Sequence, residues 1–311
     1  MIGRAVVVGG AGAVGGLFAR RLLDAGTEVT VVDPAVGDGT PHTVADTGAG
    51  GIPGIPGGPG AAPVRLLRGD ITAIDSRLAA ELRLADLVVL AVPEPVALAA
   101  VRGIAGELTP GALLVDTLSV KQPVTRAVRA HAPEVQAVGL NPMFAPSLGF
   151  EGRPVAAVVV TEGPRADELL KLVESWGAVV VRVDAAEHDR LAGATQALTH
   201  AAVLGFGLAL RDLGTPAADL RPVAPPPANT MLALLARVVS GAPEVYWDVQ
   251  HANPEAAGAR TALAEGLRRL ARTVEHGTED DFAALLSELR DYLGDDLAHH
   301  RDTCARLFGR T

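Results

Sequence analysis

The sequence predicts an α/β protein: a doubly wound, mostly parallel sheet in the N-terminal part and an all-helical C-terminal part. Three observations predict it. Short apolar, β-branched runs alternate with helically patterned segments from residue 4 to about residue 184, the rhythm of a parallel sheet covered on both faces. A glycine-dense turn, GGAGAVGG, separates the first strand from the first helix. After Asp184 the strand-like runs stop and helical patterns alone remain. Two domains are therefore expected, 1–184 and 185–311, and 311 residues suffice for both.

Taken in order, RAVVV (4–8) reads as a buried parallel strand, LFARRLLDAG as a helix closed by glycine, and EVTVVD (28–33) as the next strand. Half of the 28 positions from 37 to 64 are Gly or Pro, which predicts a mobile loop rather than a domain linker, because strand patterning resumes afterwards. ADLVVLAVP (85–93), GALLVDTLS (111–119), VQAVGL (135–140), PVAAVVV (154–160) and AVVVRVD (178–184) supply further strands, with helices such as VALAAVRGIAG and RADELLKLVESWG between them. Beyond Asp184, AAEHDRLAGATQALTHAAVLGFGLALRDLG has the pattern of one long helix. The four prolines of LRPVAPPPAN forbid its continuation. Further helices are expected in NTMLALLARVVSG, ARTALAEGLRRLARTVEHG and EDDFAALLSELRDYLGDDLAHHRDTCARLF.

Composition narrows the function. Net charge is −9 with no long basic run, which argues against nucleic acid as a partner. The single cysteine, Cys304, excludes an internal disulfide and any cysteine-based metal site, and no His/Asp/Glu group has metal-site spacing. No segment reads as both long and apolar enough to span a bilayer, and the N-terminus lacks a basic region and a cleavage site. A soluble, cytoplasmic protein is expected.

The string Gly10-Ala11-Gly12-Ala13-Val14-Gly15 fits G-x-G-x-x-G. It follows a strand, opens a helix, and has Asp33 about 20 residues on, the context that turns a weak motif into a dinucleotide fingerprint of the Rossmann type. On this reading Gly10 permits the tight turn, Gly12 lets backbone approach a pyrophosphate at the helix N-terminus, and Gly15 lets helix and strand pack closely. Asp33 accepts hydrogen bonds from the adenosine ribose and repels a 2′-phosphate, and no Arg occupies 34–36. The expected cofactor is NAD rather than NADP or a flavin. Ligands of open α/β sheets lie beyond the carboxyl ends of the strands. That places Val92, Pro93, Ser119 and Asn141 beside the nicotinamide and completes a cofactor site of Gly10, Gly12, Ala13, Val14, Gly15, Asp33, Val92 and Pro93.

Three patches carry a family resemblance: DTLSVK (116–121), GLNPMF (139–144) and AEHDR…QALTH (186–200). Together they resemble the prephenate and arogenate dehydrogenase family over nearly the whole chain, the 37–64 loop excepted. The most specific pieces are D-x-x-S-V-K, G-L-x-P-M-F-x-P and E-H-D…Q-A-L-x-H. The resemblance implies NAD- or NADP-dependent oxidation of a cyclohexadienyl ring carbon, with loss of carbon dioxide as the ring becomes aromatic. It also implies homodimers held by the helical domains.

One departure matters most. The family usually carries His where this chain has Asn141, and that His helps remove the ring-hydroxyl proton as hydride departs. A carboxamide does not titrate near neutral pH. Either the protein is inactive or its substrate needs no such base. A ring carbon bearing an unprotonated amine fits the second case, because its lone pair expels hydride directly and needs an acceptor that orients its N–H bonds. The chain is thus most similar to the branch that oxidises 4-amino-4-deoxyprephenate to 4-aminophenylpyruvate, a precursor of p-aminophenylalanine in antibiotic pathways. Prephenate or arogenate oxidation, and a non-catalytic NAD-binding role, stay open. A β-hydroxy- or imine-type dehydrogenase is disfavoured, since 185–213 has no catalytic Lys.

The resemblance assigns further residues. Asn141 and Ser119 are the catalytic candidates, Ser119 as a hydrogen-bond partner for the ring substituent or nicotinamide amide, or else as a helix N-cap. Lys121 is read as attracting a substrate carboxylate or as a solvated lysine. His188 and His200 match two family histidines, set about 120° apart round a continuous α-helix, and Gln196 lies close to the His188 face. Where some members grip a carboxylate with Arg, this chain places Glu255. That leaves the grip to Arg153, Arg190 or Lys121, or leaves Glu255 to pair with a substrate amine.

Overall fold

In the computed structural model, which describes residues 1–37, the backbone of 39–42, and 64–309, a nine-stranded sheet carries the N-terminal part. β1 (Arg4–Val8), β2 (Glu28–Val32), β5 (Leu87–Leu90), β6 (Leu113–Asp116), β7 (Gln136–Pro142), β8 (Pro154–Thr161) and β9 (Val179–Arg182) arise from the apolar runs named above. β3 (Gly39–His42) and β4 (Val64–Leu67) are additional. They come from the two ends of the stretch expected to be a loop, and the 43–63 part of that expectation lies outside the described residues. Strand order is β3-β4-β2-β1-β5-β6-β7-β8-β9. All neighbours are parallel except β3–β4 and β7–β8. The order reverses at β1, whose neighbours are β2 and β5, so the switch-point crevice opens beyond the carboxyl ends of β1 and β5.

The central strands are apolar along their length because both faces are covered. All four residues of β5 and of β6 are buried. One face packs on α1 (Ala13–Asp24) and α5 (Pro164–Ser175), where Phe18, Phe150 and Trp176 meet with ring centroids 5.0–5.8 Å apart. The other packs on α2 (Ser76–Leu84), α3 (Glu94–Glu107) and α4 (Gln122–His131) through Leu78, Leu82, Val101, Ile104 and Val124.

The chain divides into two compact units, Met1–Ala192 with Trp247–Asn253, and Gly193–Tyr246 with Pro254–Thr311. The first therefore extends past residue 184 to take in α6 (Ala185–Ala192), for a reason visible at the site below. Helices are the only regular secondary structure among the described residues of the second unit. The long helix expected from 185 is interrupted by a π-turn, Gly193–Ala197, before α7 (Leu198–Asp212), so the 120° offset of a continuous helix does not apply. α8 (Ala217–Leu220) is short. α9 (Pro226–Val239) uses two prolines as its first turn, where their missing N–H groups cost nothing. α10 (Pro243–His251) and α11 (Ala256–His276) follow. Gly294, at φ 51°, splits the expected last helix into α12 (Glu279–Leu293) and α13 (Asp296–Phe308).

One expectation is corrected. Among the described residues, the helical run Ala185–Asp212 is long and apolar enough to cross a membrane by length and composition, with mean hydropathy 1.2 over its best window. The cause is composition: from 191 to 210 the run is Ala, Leu and Gly with few polar residues.

Candidate active site

The glycine turn is built by close backbone approach. Gly9, at φ 77°, makes the left-handed bend, and a Cβ there would lie 2.2 Å from the Ala91 carbonyl oxygen at the end of β5. The residue that permits the turn is thus Gly9, not Gly10 as expected. Gly10 is confined differently: its Cβ would press 2.7 Å from the Val31 side chain. A Cβ on Gly15 would sit 2.3 Å from the Gly9 carbonyl oxygen, so helix α1 runs against the turn with no room for a side chain. Gly12 caps α1 and offers no side-chain acceptor, which leaves the first helical amides, including those of Ala13 and Val14, for a ligand. Asp33, at the end of β2, receives the amides of Ala11 (3.2 Å) and Ala35 (2.9 Å) and so stands over the turn. Val92 is half-buried beside Gly9, and Pro93 is the exposed N-cap of α3. A bare backbone cradle, an uncapped helix start and a carboxylate on the β2 side fit a dinucleotide.

The second cluster lies at the carboxyl ends of β6 and β7. Asn141 is 3% exposed, and its side-chain nitrogen lies 3.1 Å from His188 Nε2. His188 Nδ1 is 2.8 Å from Asp189 Oδ1, and both residues are buried. Asp189 also receives the backbone amides of Lys121 (2.7 Å) and Gln122 (3.0 Å). It thereby caps α4, whose own N-cap, Lys121, supplies no side-chain acceptor. Asn253 donates to the Asp189 carbonyl (2.9 Å). These bonds tie α6 and 247–253 to the sheet, which is why the first unit includes them. Burial alone would raise the Asp189 carboxyl, but bonds from His188 and the two amides outweigh it and hold it below the usual carboxylate range.

The ammonium of Lys121 is fully buried, 2.5 Å from Asp116 Oδ1 and 2.9 Å from the Leu140 carbonyl. Burial pushes it below the usual lysine range, against the opposing pull of Asp116 and Asp189. Neither expectation for this residue holds: it is not solvated, and its charge is used by Asp116, so it has no reach to a substrate carboxylate. Gly139 makes the pair possible, since a Cβ there would lie 2.9 Å from both Asp116 Oδ2 and Lys121 Cδ. The glycine of GLNPMF is therefore a packing requirement of the ion pair one strand away.

Ser119 is half-exposed and does not cap α4; its hydroxyl forms no hydrogen bond with the described residues. In the second unit, Gln196 lies in the π-turn and His200 on α7. Gln196 Oε1 and His200 Nδ1 are both buried without a hydrogen-bond partner among the described residues. Burial, then Arg237, lowers the His200 pKa, keeping the ring neutral beside Tyr246, 5.0 Å away edge-to-face. Glu255 is exposed immediately before α11. Arg153 donates to the carbonyls of Gly149 and Glu151, and Arg190 forms a bidentate pair with Glu187.

Asp189, Asp116, Gly139 and Glu94 escaped the sequence reading. The first three sit inside the quoted motifs, and a signal was present in the spacing of Asp116 and Lys121, a possible ion pair at one strand end. Glu94, at the first turn of α3, is buried. Burial raises its pKa, as do Asp248, Asp189 and Asp116, with Arg126 opposing. A carboxyl whose folded-state pKa lies above its unfolded value stabilises the fold below the unfolded pKa, and that contribution is lost as pH rises through the folded pKa. Glu94→Gln is therefore expected to stabilise the protein at neutral pH and to lose that advantage in acid. Denaturant unfolding at two pH values checks it; a difference between wild type and variant that ignores pH contradicts it.

A dinucleotide-binding turn with a buried polar cluster at the neighbouring strand ends defines a dinucleotide-dependent dehydrogenase. Residues 63–181 match the prephenate dehydrogenase nucleotide-binding domain and 184–288 the prephenate dehydrogenase dimerization domain; an NAD(P)-binding family also matches 1–117. A 4-amino-4-deoxyprephenate dehydrogenase of Streptomyces pristinaespiralis is 52% identical over 308 residues, covering 99% of this chain and 97% of that protein. Among solved structures, a prephenate dehydrogenase of Aquifex aeolicus in complex with hydroxyphenyl propionate and NAD+ superposes with a TM-score of 0.66 at 18% identity, covering 94% of this chain and 97% of the other. A Synechocystis arogenate dehydrogenase gives 0.62 at 16% identity, covering 93% and 98%. The chain belongs to the prephenate dehydrogenase family.

Proposed function

We propose that the protein oxidises 4-amino-4-deoxyprephenate to 4-aminophenylpyruvate and carbon dioxide, using NAD. The observation that carries the reading is Asn141, a non-titrating carboxamide buried against His188 at the end of β7, in a chain 52% identical to a protein named for that reaction. NAD, when bound, accepts the hydride that leaves C4. The substrate amine, unprotonated, donates its lone pair as that hydride departs, giving a ring iminium. Breaking the bond to the ring carboxylate then releases carbon dioxide, its electron pair aromatises the ring, and the product amine is neutral. No proton has to leave nitrogen in the redox step, so Asn141 serves as acceptor and orienting group, and a neutral acceptor adds no positive charge beside the forming iminium. Ser119, with its hydroxyl free among the described residues, is suited to a second hydrogen bond at the ring substituent or nicotinamide amide. Within the second unit, Gln196 Oε1 and His200 Nδ1 are buried without a partner among the described residues, which leaves both atoms available to a ligand. Asp33, with no Arg at 34–36, favours NAD over NADP.

The helical region, 185–311, is read as a dimerisation domain. The family match over 184–288 supports this, as do Leu208, Leu213, Val239, Leu267 and Val274, apolar and exposed on a single chain. A homodimeric biosynthetic enzyme drawing on NAD belongs in the cytoplasm. The test is to supply 4-amino-4-deoxyprephenate and NAD and follow NADH, carbon dioxide and 4-aminophenylpyruvate. Equal amounts of all three are expected; NAD binding without turnover would leave a non-catalytic relative and overturn the reading.

A further inference from the structure

The Asn141 carboxamide has two ends of opposite character, and the reaction proposed above tolerates one orientation. With its oxygen toward the substrate it accepts an N–H bond and leaves the nitrogen lone pair free to expel hydride. With its NH2 group toward the substrate it would donate to that lone pair and withhold it from the ring. An amide facing a lone imidazole has no fixed choice, because the imidazole can change tautomer to match either end.

Here the imidazole has no such freedom. Asp189 is buried and receives two backbone amides, one on each oxygen. Its carboxylate is an acceptor only, so the 2.8 Å contact with His188 Nδ1 requires the proton on Nδ1. In the neutral ring, Nε2 is then bare and accepts. The 3.1 Å contact from Asn141 is accordingly a donation by its NH2 group. The Asn141 oxygen is turned away from His188, and no described residue donates to it. We propose that Asp189 and His188 are positioning residues for Asn141, a carboxylate–imidazole–amide chain that holds the amide with its oxygen toward the substrate amine. Cap and relay share one side chain: the carboxylate that starts α4 also selects the tautomer of His188. The substrate-facing half of this inference rests on the reading of Asn141 as acceptor for that amine; the tautomer assignment does not.

The test has two arms. Nitrogen NMR of protein labelled at histidine, with His188 assigned by its loss in His188→Gln, reads the tautomer in the resting enzyme. The expected spectrum has His188 protonated at Nδ1 and bare at Nε2. A His188 protonated at Nε2 would overturn the chain whatever the substrate is. In the second arm, Asp189→Asn removes the acceptor-only carboxylate that fixes the tautomer; it keeps one oxygen for one of the two helix amides, and thermal unfolding reads the cost of the lost cap bond separately. The variant's kcat on the amine substrate is expected to fall about 10- to 100-fold, the scale of a lost outer-shell orienting contact, with NAD affinity and KM nearly unchanged. An unchanged kcat would refute the positioning role. Wild-type protein with the expected tautomer but no turnover of the amine would instead sink the proposed function, which keeps the two failures apart.

Discussion

Asn141→His is expected to raise kcat/KM for prephenate by about 10²- to 10⁴-fold, the contribution of a positioned general base, and to lower it for 4-amino-4-deoxyprephenate. The physics differs at one atom. Oxygen is a poorer lone-pair donor than nitrogen, so expelling hydride from a hydroxyl-bearing carbon requires the O–H proton to leave in concert, and a carboxamide cannot take it. An imidazole at 141 can. It also introduces a cationic form beside the iminium of the amine reaction, where Asn141 stays neutral. The backbone at 141 is held by antiparallel pairing with Ala156, so the substitution changes the group presented while the strand that presents it stays paired. Steady-state kinetics on both substrates checks the swap. Loss of the amine reaction with no gain on prephenate would mean that position 141 governs packing rather than chemistry.

Lys121→Met is expected to cost about 3–5 kcal/mol of stability, the penalty for leaving one member of a buried ion pair without its partner. Asp116 is 5% exposed, and beyond Lys121 it keeps, among the described residues, one amide bond, from Leu118 at 3.2 Å. The loss should appear as a fall in thermal midpoint of roughly 6–20 °C, taking about 2–4 °C per kcal/mol for a chain of this size class. The double variant Lys121→Met with Asp116→Leu should recover most of it, because an apolar pair avoids desolvating two charges. If the single variant unfolds like wild type, the buried pair is not what joins β6, β7 and α4 beneath the site.

The fold was legible where burial leaves a mark on composition. β5 and β6, covered on both faces, are uninterrupted apolar runs, and α1 and α5 carry amphipathic stripes ended by Gly26 and Gly177, both at positive φ. β3 and β4 were not legible. GTPH and VRLL are four-residue strands flanking a Gly/Pro-rich stretch, and the pairing of β4 with β2 and of β3 with β4 decides their state more than their own propensity does. The π-turn at Gly193–Ala197 shifts the helical phase by about one residue and the break at Gly294 interrupts only Gly294 and Asp295, so both leave the apolar periodicity almost intact.

The site divides in the same way. The turn and Asp33 stand out because backbone proximity to a ligand demands glycine, and glycine is visible. Asn141 stands out as an amide where a titrating base was expected. Lys121 misled because a lysine's exposure depends on a partner, and Asp116 and the Leu140 carbonyl become that partner once β6 and β7 lie side by side. Asp189 was in view beside His188, yet its two functions, capping α4 and fixing an imidazole, need the chain to return 67 and 68 residues later to the start of that helix.

In the proposed reaction a substrate nitrogen performs the electron push for which oxygen needs a base. The most direct test of that push is kcat/KM of the wild-type protein for 4-amino-4-deoxyprephenate and for prephenate, with NAD, under identical conditions. A preference for the amine of about 10²-fold or more is expected, the lower range of a general base's contribution. Equal efficiency, or faster oxidation of prephenate, would contradict it.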